Sequence, residues 1–407
     1  MTEIDVAIIG AGAAGVGAAR GLYGRGLDVL VLEASDRVGG RAWTQAVAGM
    51  PLDLGCGWLH SADRNPWVGI AEDARFAIDR SESAWGRQWR DLGFPPDEPA
   101  AANQAFEAWD ARLRSDPPAS DRAADALPAQ GKWNAYVEAL SGYINGTGLA
   151  NLSVADYLAY DDAATEANWR VPAGYGTLVA SQLPPVALAL GTPVRRIRDE
   201  ADRLVLETPR GSIRARAAVV TVATPVLATG GLRLPQRYDA HCHAAAQLPL
   251  GLANKLFLRF EDAEAVPADG HLLGNPRTSD TGSYYLRPFG RPVIECFFGG
   301  SGAAVLEAAG ADTTAAFARE ELGALLGSDV ARRLPFLTAS AWGQADGFGG
   351  SYSHALPGHA GARAILATVD DRLFFAGEAC SPTDFSTAHG ALATGEAVAA
   401  AIIATRT

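Results

Sequence analysis

Cysteine and methionine are scarce in this chain of 407 residues, with four of the first and two of the second. Cys56, Cys242, Cys296 and Cys380 show neither C-x-x-C nor Cys/His ligand spacing, which speaks against a disulfide framework or a zinc site and predicts reduced thiols and no bound metal. No run of about twenty apolar residues is present to span a bilayer, so no membrane partner is expected. No leader-like segment precedes the first strand-like stretch, and the cytoplasm is the expected location. Basic residues are outnumbered, 34 Lys and Arg against 46 Asp and Glu. The net charge of -12 argues against a nucleic-acid partner and is compatible with a cationic substrate. Internal repeats and low-complexity tails are absent too.

What the chain does have is glycine in a pattern. An apolar stretch over residues 3–9 runs straight into Gly10-x-Gly12-x-x-Gly15, and Glu33 closes a second strand-like stretch about twenty residues on. Residues 18–26 between them are helix-permissive and end in glycine. A glycine-rich turn alone carries little weight, but strand, turn, helix and strand in this order read as a dinucleotide site. Gly10 allows the tight turn, Gly12 lets the backbone approach a pyrophosphate, Gly15 lets the helix pack on the strand, and Glu33 can accept ribose hydroxyls. The nucleotide would sit on a helix N-terminus.

Farther along, residues 74–182 turn helical and loop-rich, broken by Pro95-Pro96, Pro117-Pro118 and Pro128, with an amphipathic piece at 103–114. Strand-like stretches follow at 194–197, 204–208, 217–222, 255–260, 284–286 and 293–298, and a last apolar helix at 390–405. About 400 residues exceeds what one core usually holds and predicts two intertwined domains. The fold class is α/β.

Glu33 continues into Ala34-Ser35-Asp36-Arg37-Val38-Gly39-Gly40-Arg41, where two glycines expose amide donors and Arg41 offers a guanidinium fork to phosphate oxygens. This run resembles the flavin-containing amine oxidase family, closest in motif to its polyamine oxidase branch. A second block, Phe375-Ala376-Gly377-Glu378 and Thr387-Ala388-His389-Gly390-Ala391, is similar to that family's C-terminal motifs. The resemblance covers residues 1–75, 170–260 and 335–407. It implies a discontinuous Rossmann-like FAD-binding domain (1–75, 190–225 and 360–407) with an inserted substrate domain of mixed β-sheet plus helical lobe (76–189 and 226–359). Its implied FAD contacts are Gly10, Gly12, Gly15, Glu33, Ala34, Gly39, Gly40, Arg41, Gly57, Trp58, Val194, Trp342, Gly377, Glu378, Thr387 and Ala388.

Three further residues bear on chemistry. Lys255 begins an otherwise apolar stretch; in the family a lysine here holds a water against flavin N5, whereas the bland alternative is a strand-end lysine reaching solvent. His60, in Gly57-Trp58-Leu59-His60 followed by Asn65-Pro66, would lie on the substrate side and assist amine deprotonation, or else make a structural hydrogen bond in a loop. Tyr352, in Gly350-Ser351-Tyr352, matches the family's tyrosine that walls the substrate. Ser351 stands where some monoamine oxidases carry the cysteine that bonds FAD, which implies a non-covalent cofactor. Thr387 replaces their second cage tyrosine, which implies a half-open cage. The implied activity is hydride transfer from an amine α-carbon to flavin N5, giving an imine that hydrolyses to an aldehyde, with O2 or another acceptor taking the electrons.

Trp85, Trp89, Trp109, Trp133 and Trp169 either line an aromatic pocket or form core, and Asp161 and Asp162 either receive a distal ammonium or are exposed loop acids. Two rival functions remain. One is a desaturase or protoporphyrinogen-oxidase-like flavoprotein acting on C–C bonds, against which Lys255, His60 and Tyr352 argue; the other is a non-catalytic, FAD-stabilised binding protein.

Overall fold

Ile4, Val6, Ala7, Ile8 and Ile9 are all at most 7% exposed. From Val6 on they alternate, Val6 and Ile8 facing one core and Ala7 and Ile9 another, while Ile4 packs in the second. A strand apolar on both faces belongs in the middle of a sheet that is covered on both sides. In the computed structural model, which describes residues 2–85, 95, 97–260, 266–368 and 370–405, Thr2–Ile9 runs parallel between Val29–Leu32 and Gly211–Val220. Ala187–Ala189 lies beyond Val29–Leu32, also parallel. Gly211–Val220 shares its other edge between two partners: Arg203–Thr208 pairs antiparallel with its first half, and Leu373–Phe375 pairs parallel with its last residues. Arg196–Glu200 completes this seven-stranded sheet.

Gly10, Glu33, Thr221 and Ala376 each follow directly on one of these parallel strands. They therefore share one edge of the sheet, where open α/β folds bind ligands. Helices Ala13–Leu22 and Ala388–Ala404 cover one face and cross closely at glycines. A Cβ on Gly17 would lie 2.5 Å from the Leu392 carbonyl oxygen, and one on Gly395 only 2.0 Å from that of Ala14. Helices Asp239–Ala246 and Ala362–Leu366 help to cover the other face.

A second, antiparallel sheet has the order Gly270–Leu273, Ser283–Leu286, Val293–Gly299, Ala253–Arg259 and Phe336–Ala339. Its alternation is regular. Leu256, Leu258, Leu272, Tyr284, Leu286, Ile294, Cys296 and Phe298 pack into a core with helices Gly300–Ala309 and Ala311–Leu326. Lys255, His271, Ser283, Tyr285, Glu295 and Phe297 point to the opposite face. Helices Asp97–Ser115, Asn134–Asn145 and Val154–Asp161 contribute to the small cores of the helical part. No helix among the described residues is long and apolar enough to cross a membrane.

Several expected limits shift. The amphipathic piece at 103–114 belongs to the longer Asp97–Ser115, because Asp97 and Glu98 suit a first turn. The first helix begins at Ala13, straight off the glycine turn, and the 217–222 stretch belongs to the longer Gly211–Val220. Val194 precedes its strand, which starts at Arg196. Residues 187–189, assigned by sequence to the substrate part, pair in the seven-stranded sheet. Leu227, Leu232, Tyr238, Ala244, Ala245 and Leu248 also pack on that sheet, so a boundary at 225 separates residues that share one core.

Gly395→Leu forces a side chain into the Ala14 carbonyl at the helix crossing. The expected cost is about 3 kcal/mol or more, read by denaturant unfolding; a cost within about 0.5 kcal/mol would mean that the two helices do not pack at this distance in solution.

Candidate active site

One cavity of about 1210 Å³ opens between the two sheets. Pockets for a single small molecule usually hold about 300–1,000 Å³, so this space suits a large cofactor together with a substrate. With the exception of Gly15, every residue singled out in the sequence as a cofactor contact lines it, and so do Lys255, His60 and Tyr352. Gly15 packs instead: a Cβ there would meet the Gly10 carbonyl oxygen at 2.0 Å, which seats the helix on the strand.

The cradle at one end is built from backbone. Gly10 has φ +109° and donates its N–H to the Leu32 carbonyl at 2.8 Å. Gly40 has φ +60°, and a Cβ on it would come within 3.0 Å of the Gly12 Cα, so the two turns touch without side chains. Gly12 caps the first helix with no side-chain hydrogen bond, which leaves first-turn amide donors free for an anion. Glu33 is 6% exposed. Its carboxylate accepts from the Ala11 N–H at 2.6 Å and from the N–H and Oγ of Ser35, both at 2.8 Å. A carboxylate has about four acceptor positions, so room remains for one hydroxyl. Free amides, a Cβ-free approach and a buried acid one strand away together fit a dinucleotide.

The Arg41 fork expected to face phosphate is partly engaged elsewhere. Its Nη1 donates to Glu378 Oε1 at 2.9 Å and to the Ser351 carbonyl at 2.8 Å. Glu378 is buried, and its other oxygen accepts from Ser353 Oγ at 2.6 Å and from the Ser386 N–H at 2.9 Å. Burial alone would raise its pKa, but Arg41, Ser353, Arg363 and the Ser386 amide together hold it below the usual range. Glu378 thus joins the two cofactor motifs to each other. Thr387 caps the last helix by accepting from the Gly390 N–H at 3.0 Å.

The strand register builds the reactive end. Lys255 stands opposite Phe297, which places it diagonal to Glu295 on the same sheet face. Lys255 Nζ meets Glu295 Oε1 at 2.8 Å, and a Cβ on Gly57 would lie 2.9 Å from that nitrogen. The lysine is 7% exposed, so it is not a strand-end residue reaching solvent. Burial acts to lower its pKa, but Glu295 and Asp53 outweigh burial and keep it protonated. Asp53 accepts from Thr44 and from the N–H groups of Tyr175 (3.0 Å) and Gly176 (3.3 Å). Burial pushes Asp53 up, against the opposing pull of Lys255.

His60 meets Asn168 Oδ1 through Nδ1 at 2.8 Å. Asn168 Nδ2 donates to the Glu166 carbonyl at 3.1 Å, which orients the amide and assigns the His60 proton to Nδ1. Among the described residues nothing is bonded to Nε2. Burial lowers the His60 pKa to about 4, so the ring is neutral. His60 therefore makes the structural hydrogen bond of one sequence reading and also lines the cavity.

Tyr352 is fixed by pairing with Gly251 and donates its hydroxyl to the Tyr143 carbonyl at 2.6 Å. Trp342 donates its indole N–H to the Leu54 carbonyl at 2.9 Å. Val194 is buried against the cavity, and no described protein group bonds its backbone N–H or carbonyl.

The alternatives left open for the tryptophans and the acid pair divide. Of the five tryptophans, Trp85 lines the cavity beside Trp58 (centroids 4.3 Å apart), Trp109 and Trp133 are core, Trp169 packs against the main core, and Trp89 lies outside the described residues. Asp161 and Asp162 are held by Arg114. Glu295 was not anticipated, although a lone acid within the apolar stretch 293–298 was the same kind of signal as Lys255. Asn168, Tyr143 and Arg170 carried no local signal, since only tertiary packing brings them to the cavity.

A model of the flavin containing amine oxidoreductase family matches residues 13–90 and 66–403. The chain belongs to this family and is a flavin-dependent amine oxidoreductase. It is 28% identical over 432 residues to polyamine oxidase 3 of Oryza sativa subsp. japonica, covering 95% of this chain and 87% of that one. Among solved structures it resembles a putrescine oxidase bound to putrescine (TM-score 0.78, 20% identity, 99% of both chains). It also resembles the cyclohexylamine oxidase of Brevibacterium oxydans IH-35A (TM-score 0.78, 20% identity, 98% of this chain and 99% of that one).

Two outcomes follow for stability. Glu295→Gln leaves a buried ammonium facing only Asp53 and is expected to cost about 3 kcal/mol in denaturant unfolding. Lys255→Met combined with Glu295→Leu removes both charges and should cost less than Glu295→Gln alone; additive costs would show that the pair is not coupled. The second outcome concerns pH. His60, His271 and His354 are each held near 4 by burial, against 6.5 for a free histidine. Below about pH 6.5 the unfolded chain takes up protons that the folded chain refuses until about pH 4. Stability should therefore be full above that range and fall as pH drops through it, and a melting temperature that stays flat from pH 7.5 to 5 would contradict this burial.

Proposed function

We propose that the chain binds FAD non-covalently and oxidises an amine C–N bond, removing a hydride from the α-carbon to give an imine that water hydrolyses to an aldehyde and a smaller amine. The reading rests on one observation above others. The backbone cradle and the set Lys255, His60 and Tyr352 open onto the same cavity. When bound, flavin supplies the two-electron acceptor that no side chain can provide.

The chain's own groups hold and prepare the amine. Lys255 contributes a fixed, protonated ammonium, kept in place by Glu295. His60 Nε2 accepts a hydrogen bond from an amine N–H. Because its buried ring is a weak base, it favours the neutral amine that can give up hydride. The Tyr352 ring offers an electron-rich wall. Dioxygen or another acceptor takes the electrons afterwards.

Non-covalent binding is supported by the position of Ser351, whose hydroxyl is used between the Ala253 N–H (2.9 Å) and carbonyl (2.7 Å). Cys56 lines the cavity, but burial and Asp53 push its thiol up to about 12, so it supplies no thiolate. The rival reading is a flavoprotein that oxidises C–C bonds. The ion pair of Lys255 and Glu295 argues against that alternative.

Lys255→Met is expected to retain FAD, identified by its visible spectrum and by release on denaturation. Anaerobic reduction by amine should slow at least tenfold, which corresponds to about 1.4 kcal/mol. Unchanged stopped-flow reduction would remove Lys255 from the reaction.

A further inference from the structure

The walls and charges of the substrate space say which amine fits, provided that the amine-oxidising reading above holds. Its surface is mostly rings. Tyr352 is bonded through its hydroxyl to the Tyr143 carbonyl at 2.6 Å, and Tyr143 through its own to the Thr281 carbonyl at 2.7 Å. With their polar ends used, both tyrosines present apolar faces. Phe297 packs 6.0 Å from Tyr143, and Phe385 lines the cavity as well. Opposite, Trp58 and Tyr285 meet edge to face with centroids 5.8 Å apart.

The buried carboxylates of this space are already engaged. Glu295 is bound to Lys255 at 2.8 Å, Asp53 accepts from Thr44 and from the amides of Tyr175 and Gly176, and Glu378 is bound to Arg41 at 2.9 Å. Asp161, which shares Arg114 with Asp110 and Asp162, and Glu166 and Asp346 are exposed, where water and salt screen them. Cations line the wall as well. Arg170 is 5% exposed, lies 5.0 Å from the Trp58 ring and 4.9 Å from the Tyr285 ring, and is neutralised by Asp79 (2.6 Å) and Asp269 (2.9 Å). Arg291 reaches the same cavity and is held by two carbonyls, those of Pro51 at 2.8 Å and Pro172 at 2.5 Å.

We propose that the substrate is a monoamine, a single basic nitrogen on an aromatic or alicyclic body, and not a linear polyamine. One nitrogen can enter as the free amine, its proton left in water, and be received between Tyr352 and His60. Inside the cavity a second or third ammonium would lie against ring faces, Arg170 or Arg291 with no free buried carboxylate beside it among the described residues, and would lose its hydration uncompensated. A ring or short apolar chain instead buries its surface against Phe297, Tyr143 and Trp58.

The test uses the intact holoenzyme without oxygen. Benzylamine, 2-phenylethylamine and cyclohexylamine are compared with putrescine, spermidine and spermine, following loss of the oxidised flavin band. Each amine is also titrated calorimetrically into holoenzyme already reduced with dithionite, which reads binding apart from turnover. The expected result is reduction by at least one monoamine at a second-order rate constant about tenfold or more above that of every polyamine, with tighter binding in the same order. Polyamines that reduce the enzyme as fast as or faster than the monoamines overturn the assigned class and leave amine oxidation standing. Bleaching by dithionite but by no amine of either kind overturns both.

Discussion

The buried carboxylate of Glu378 is the interaction on which the site depends. It ties together Arg41 after the second strand, Ser353 before the C-terminal segment and the Ser386 amide ahead of the last helix. Ser353 Oγ also accepts from Arg363, whose guanidinium is paired with buried Asp156 at 2.6 Å. A charge network this far from water is stable only while every member is satisfied, and losing one partner leaves an uncompensated buried charge. Residues more than 300 positions apart are thereby held as one cofactor-facing surface. The same requirement explains why Arg41 cannot devote all of its donors to a phosphate.

The antiparallel sheet does a different job. Its back face is apolar and packs on two helices, so strand register cannot slip by one residue without turning core side chains into the cavity. A fixed register means fixed diagonal neighbours. The juxtaposition of Lys255 and Glu295 follows from that register, as does the row formed by Phe297 and Ser283 beside it.

Protonation states in the cavity follow from burial, with neighbours deciding the direction. Lys255 has two acids beside it and stays charged, whereas His60 has a neutral amide partner and a positive neighbour and stays uncharged. A protonated lysine and a neutral imidazole thus line one cavity, the first as a donor and the second with a ring nitrogen that can accept. The aromatic walls lower the local polarity and make each of these assignments stronger.

The sequence by itself determined the nucleotide cradle and the α/β class. Gly10, Gly12, Gly39 and Gly40 act through backbone shape, and a stretch of apolar residues on both faces dictates a covered parallel strand; both are local properties that a string of residues displays. The C-terminal motifs were legible for the same reason, because a helix start and the turn before it are contiguous. Tertiary structure alone decided what Lys255 touches, which proton His60 carries, that Asp161 and Asp162 pair with Arg114, and which of the tryptophans reach the cavity. Those depend on distance between residues far apart in the chain, set by sheet register and by helices crossing at Gly17 and Gly395, and no local pattern encodes the balance of charge and ring faces that the packing brings together.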